Sequence, residues 1–189
     1  VLCNSLKKTF PKAQVDYLVH EVSASLLENH PYIDNVIALT KEERKSPVKY
    51  LRKIRQITSQ GYDLVVDAQS TNKSEIVSMF ARKRAICIGR VKKRRGYFYT
   101  NKVDPKAGGG NKISERLRLL DPLVAMGFDV KHDNKFVIKA PFELKQQLRG
   151  DMEAQGINFN RPVFLMSVTA KEHDKRWDID KMKSWAEYA

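Results

Sequence analysis

The chain has 189 residues, 42% of them apolar, enough for one real core and part of a second. Thirty-five Lys and Arg against 22 Asp and Glu leave a net charge of +13, which asks for an anionic partner: nucleic acid, a phospholipid surface or a phosphorylated substrate. No apolar run approaches the roughly 20 residues of a membrane span, no leader is visible, and the four His and two Cys share no ligand-like spacing, so neither metal nor cofactor is expected.

Strand and helix signals alternate along the chain. Val1–Leu6 reads as the tail of an amphipathic helix ending before Phe10–Pro11, Gln14–Val19 as a strand, Val22–Asn29 as a helix and Asn35–Leu39 as a strand. Val48, Leu51, Ile54 and Ile57 recur at helical spacing, with Lys49, Arg52, Lys53 and Gln56 on the other side. Tyr62–Asp67 has the Leu-Val-Val centre of a buried strand, followed by a helix over Lys73–Arg82 and a strand over Ala85–Ile88. Tyr97–Tyr99 reads as a short strand or a piece flanking a turn, and Gly108–Gly110 as a loop. A helix follows with Ile113, Leu117, Leu120 and Val124 on one face and a break at Pro122. Phe142–Gln155 is a further helix. Cys3 and Cys87 lie far apart in apolar surroundings and fit buried reduced thiols in a cytosolic protein. The alternation predicts an α/β fold with a parallel sheet.

In such sheets ligands sit beyond the carboxyl ends of the strands. That singles out Asp67–Ser74, where a Val-Val strand ends in a carboxylate, a carboxamide (Gln69) and hydroxyls, then enters a helix through Lys73. Asp67 or Ser70 capping that helix, and a polar rim for sugar or phosphate, are equally open readings of the spacing. A second such place lies at Val163–Thr169, an apolar β-branched run emptying into a loop with Lys175, Arg176 and Trp177 before a helix near Asp178. Free N–H groups and the helix dipole favour an anion there.

From Ile76 to Val103 there is no acidic residue, while Arg82, Lys83, Arg84, Arg90, Lys92, Lys93, Arg94, Arg95 and Lys102 all occur. A solvated face is the ordinary origin of such a run. With Tyr97, Phe98 and Tyr99 beside it, a nucleic-acid surface is the alternative that the residues themselves suggest. Gly108-Gly-Gly110 is no dinucleotide fingerprint, so a nicotinamide-dependent oxidoreductase is not expected.

Tyr62-Asp-Leu-Val-Val-Asp-Ala-Gln69 with Lys73-Ser74 resembles a segment of the lipopolysaccharide heptosyltransferases, glycosyltransferase family nine. Phe10-Pro-Lys-Ala-Gln-Val-Asp16, His30-Pro-Tyr-Ile-Asp34, Ile88-Gly-Arg90, Ser114-Glu-Arg116 and the closing Lys175-Arg-Trp177 fall in that family's order, over nearly the whole chain.

The resemblance implies a GT-B-type enzyme with two Rossmann-like domains. It would transfer heptose from ADP-heptose, with inversion, to the Kdo-lipid A inner core of lipopolysaccharide. On that basis residues 1–141 are the acceptor-side domain, 142–157 a bridging helix, and 158–189 the beginning of the nucleotide-sugar-binding domain. Thr169 and Lys175 match donor-diphosphate positions. Lys73 and Gln69, with Lys112 and Arg116, match the acceptor side; Lys112 departs from relatives that carry histidine there. Arg94 and Arg95 of the basic run then become a docking surface for the anionic acceptor, with peripheral contact to the cytoplasmic face of the inner membrane and no nucleic acid. Cationic side chains gain about 1 kcal/mol each at an anionic leaflet. The chain opens on Val1 rather than Met and is expected to be a fragment, lacking the first strand, the family's Gly-Asp base motif and most of the second domain, and therefore inactive alone. Trp177 is expected to pack beneath the donor loop.

Overall fold

The computed structural model describes residues 1–91, 96–104, 116–164 and 176–188. They form two units, Val1–Ala140 and Pro141–Ala189.

The first unit is an α/β structure whose strands all pair in parallel. α1 (Leu2–Thr9) precedes β1 (Asp16–His20), which pairs with β2 (Asn35–Leu39), Tyr17 opposite Val36. α2 (Lys41–Lys45) and α3 (Pro47–Thr58) lead to β3 (Leu64–Asp67), and α4 (Asn72–Ala81) leads to β4 (Ile86–Arg90). β4 lies between β3 and β5 (Asn101–Val103), with Asp67 level with Gly89 and Arg90 with Val103. Among the described residues, β1–β2 and β3–β4–β5 are separate ladders.

Three apolar clusters hold this unit among the described residues, the smallest being Ala81, Ala85 and Cys87. Ile88, Leu117, Leu119 and Leu120 are fully buried in one, and Leu2 and Leu6 of α1, with Phe10 just after it, pack against it. Three polar side chains of α1 bond to backbone. The Asn4 amide donates to the Lys135 carbonyl, while Ser5 and Thr9 hydroxyls accept the N–H groups of Asp133 and Lys131. The second cluster is Leu39, Tyr50, Ile54 and Ile57. Cys3 and Cys87 are buried free thiols, and burial pushes both up from the usual thiol range.

Several segments differ from expectation for identifiable reasons. Val22–Asn29 is not an α-helix. After a 3-10 turn at Glu21–Ser23, Leu27 and His30 donate to residues three back, as Ala24 does to Glu21. Val22 is 77% exposed and Leu26 57%, so no core repays an α-helical face. In α3 the buried face is Tyr50, Ile54 and Ile57, while Val48 faces water at 65% exposure. α2 was not anticipated, although Thr40 and Glu43 form a reciprocal capping box that starts it. Of the two readings of Tyr97–Tyr99 the turn-flanking one holds, because Gly96 adopts φ +101° and the amides of Gly96 and Phe98 go to Glu75 instead of a ladder. The break expected at Pro122 takes the form of a change of helix type. A 3-10 turn at Leu117–Leu120 gives way to α5 (Asp121–Ala125), with Pro122 in its first turn, where a missing N–H costs nothing. The phase change buries Leu123 and turns Val124 out.

The second unit contains α6 (Phe142–Ala154) and α7 (Ile179–Tyr188), close to the helices expected from Phe142 and near Asp178. The Asp178 carboxylate accepts the N–H groups of Asp180 and Lys181 at the start of α7. Trp177 is half exposed and lines a shallow pocket with Asp180, Lys181, Ser184 and Trp185. Most of the loop expected above it lies outside the described residues, as does Leu165–Thr169 of the apolar run before it, whose described residues Val163 and Phe164 are not in a strand.

Candidate functional site

β3, β4 and β5 run parallel, so the turns after Asp67, Arg90 and Val103 leave the same edge of one sheet. The turn after Asp67 is the best defined. Asp67 is buried, and its Oδ1 accepts the N–H groups of Gln69 at 3.0 Å and Ser70 at 2.8 Å. Its Oδ2 accepts the Tyr99 hydroxyl at 2.7 Å, in a contact that, behind burial itself, raises the Tyr99 phenol. Ser70 is fully buried in the left-handed region at φ +50°, and its Oγ accepts the Arg90 N–H at 2.9 Å. Neither Asp67 nor Ser70 caps α4; Thr71 does, with Ser74 returning the bond. Ala68 and Gln69 are left exposed at the sheet edge.

Lys73 leaves the first turn of α4. Its ammonium donates to the Arg44 carbonyl at 2.7 Å, at the end of α2, while its own carbonyl accepts the Tyr50 hydroxyl at 2.6 Å. An ammonium has three donors, so two remain for a ligand. Arg44 in turn lies 3.1 Å from His20 Nδ1, at the end of β1. No carboxylate pairs with Lys73, Arg44 or His20 among the described residues. Lys73 thus bonds the backbone of Arg44, whose own guanidinium reaches His20, and neither cation has a carboxylate partner among the described residues, a setting suited to an anion. No motif marks Arg44 or His20; the signal that would have found them is the Thr40–Glu43 capping box, which fixes α2 beside β1.

Gln69 and Lys73 therefore share one turn and its helix. Arg116 belongs elsewhere, exposed just before the Leu117–Leu120 turn, where its charge acts on the Tyr17 phenol of β1. Arg94, Arg95, Lys112, Thr169 and Lys175 lie outside the described residues. The roots of the basic run are defined: Val91 donates to Val103, and a Cβ on Gly96 would touch the Val91 backbone at 3.6 Å.

Comparison with known proteins gives this edge a family. Residues 50–189 match the model of Glycosyltransferase family 9 (heptosyltransferase). Lipopolysaccharide heptosyltransferase 3 of Escherichia coli is 24% identical over 188 residues, and Lipopolysaccharide heptosyltransferase 1 of Campylobacter coli 26%. Each match covers 96% of this chain and 53% of the relative, so the chain spans about half the length of those relatives. Among solved structures, a glycosyl transferase family 9 protein from Veillonella parvula superposes with a TM-score of 0.77 at 17% identity, covering 99% of this chain and 54% of that one. E. coli heptosyltransferase WaaC, solved with ADP, does so at 0.59 and 20%, covering 98% and 57%. These neighbours share the fold expected of a GT-B glycosyltransferase, and nothing in the comparisons supports a nucleic-acid-binding module. The chain belongs to glycosyltransferase family 9, the heptosyltransferase family.

Proposed function

We propose that the full-length protein transfers heptose from ADP-heptose, with inversion, to the Kdo-lipid A inner core of lipopolysaccharide. The observation that carries this reading is the family match over residues 50–189, supported by relatives that are lipopolysaccharide heptosyltransferases. The WaaC structure holding ADP favours an adenine nucleotide donor.

Within this reading, residues 1–141 serve the acceptor, 142–157 bridge, and 158–189 open the donor half. Thr169 and Lys175 hold the diphosphate. Gln69 and Lys73 contact the acceptor, with Lys112, Arg116, Arg94 and Arg95 supplying further donors and charge to an anionic glycolipid. The Lys73 ammonium, with two donors beyond its bond to the Arg44 carbonyl, suits a carboxylate or phosphate on that acceptor. Asp67 is not the base that an inverting transfer requires, because both of its oxygens already accept hydrogen bonds. The enzyme works at the cytoplasmic face of the inner membrane; among the described residues no helix is long and apolar enough to cross it.

The test is a transfer assay with the full-length protein, ADP-heptose and Kdo-lipid A. A product heavier by one heptose, with release of ADP, is the expected result. ADP-heptose left intact in the presence of acceptor would overturn the assignment.

A further inference from the structure

Glu75, Tyr99 and Asp67 tie the segment after β4 to the turn after β3. Glu75, buried on α4, accepts the N–H groups of Gly96 at 2.8 Å and Phe98 at 3.1 Å through one carboxylate oxygen. The Arg82 guanidinium lies over the Phe98 ring, 5.3 Å from its centre. Tyr99 comes next and turns inward. Its ring crosses β4 at Gly89, where an added Cβ would meet ring carbons at 2.2–2.5 Å. Any side chain there would displace the ring. Past Gly89 the phenol reaches Asp67 Oδ2 at 2.7 Å, and the other oxygen of that carboxylate holds the Gln69 and Ser70 amides.

We propose that Tyr99 is a positioning residue for the acceptor-side turn, acting through Asp67 to fix Gln69 and the approach to Lys73. The proposal rests on the reading of Gln69 as an acceptor contact. Its physical basis is the buried carboxylate. Without the phenol, Asp67 Oδ2 loses its only described donor, and a buried charged oxygen left unpaired rotates or admits water. Either response disturbs the two amides on Oδ1. Ser70 depends on that support, since a non-glycine residue at φ +50° persists only where its surroundings fix it. Removing the hydroxyl alone leaves the ring over Gly89 and the Glu75 contacts in place.

The test compares Tyr99→Phe, Gln69→Ala and the double variant in the full-length protein, with ADP-heptose and Kdo-lipid A as substrates. Tyr99→Phe is expected to raise the acceptor KM about three- to tenfold and the donor KM by less than about twofold. The double variant should be no worse than the worse single, because both changes act on one contact. Gly89→Ala pushes the ring away from the other side and should raise the acceptor KM likewise. An effect of Gln69→Ala with none of Tyr99→Phe would overturn the positioning role and leave the acceptor reading intact. An acceptor KM unmoved by Gln69→Ala would overturn both. Equal rises in the two KM values, or additive effects in the double variant, would reduce Tyr99 to a support of the fold.

Discussion

The Lys73 ammonium sits 2.7 Å from the Arg44 carbonyl, so the side chain that follows β3 is steered by the end of the helix that follows β2. Lys73→Ala is expected to raise the acceptor KM about tenfold, the worth of one charge-assisted hydrogen bond. Because Lys73 is exposed, its loss should shift Tm by no more than about 2 °C. Steady-state kinetics and a thermal melt on the same preparation check both halves.

Arg94→Glu with Arg95→Glu should raise the acceptor KM and leave the donor KM nearly unchanged. The loss should shrink as salt is added, since exposed charges are screened over about 10 Å at 0.1 M. Titrating each substrate at two ionic strengths reads this out. Equal effects on both substrates would place the run elsewhere.

On the donor side, Lys175→Ala is expected to weaken ADP-heptose use about ten- to a hundredfold, and Thr169→Ala less, its hydroxyl being neutral. Donor kcat/KM measured for the two variants is the check. Kinetics of Lys175→Ala indistinguishable from the parent would defeat the diphosphate assignment.

The phase change at Pro122 makes a stability prediction. Leu120 is fully buried and Val124 is 49% exposed, although they sit four residues apart. Leu120→Ala should cost about 2–5 kcal/mol, whereas Val124→Ala should stay within about 0.5 kcal/mol. Urea unfolding of the two variants distinguishes this arrangement from one uninterrupted helix, in which both would be costly.

Asp133 gives the pH dependence a sign. The Lys8 ammonium 2.8 Å away and the Lys135 N–H hold its carboxyl below the usual carboxylate range, and the same bond raises Lys8. A lowered folded-state value stabilises above the unfolded value and is lost as the pH falls through the folded one. Stability should therefore decline below about pH 4, and Asp133→Asn should flatten that limb. Thermal melts from pH 7 to pH 2 measure it; an unchanged acid limb in the variant would remove Asp133 from the account.

What was legible in the chain follows from which forces act locally. Leu64–Asp67 and Asn35–Leu39 announce themselves because their β-branched residues suit a pleated, buried strand. The Lys73 helix and its polar entrance were equally plain, and the ordered motifs pointed to the family. Val22–Asn29 misled because its apolar spacing has nothing to pack on, a fact set by tertiary structure. Tyr97–Tyr99 stayed open between strand and turn for a different reason. Its aromatic composition suits a strand, yet Glu75, more than twenty residues earlier, takes its amides. The Arg44–Lys73 contact was likewise illegible, since it joins helices that follow different strands.

The two separate ladders also bear on how this chain behaves at high concentration. Among the described residues β1, β2, β3 and β5 each keep one edge without a strand partner, and such edges are templates for another copy. Charge opposes that encounter, because +13 on every molecule keeps copies apart. Added electrolyte shortens the reach of the repulsion and leaves the edges unchanged. Dilute buffer is thus the medium in which these 189 residues stay dispersed, and salt, which loosens their hold on anions, draws them toward one another.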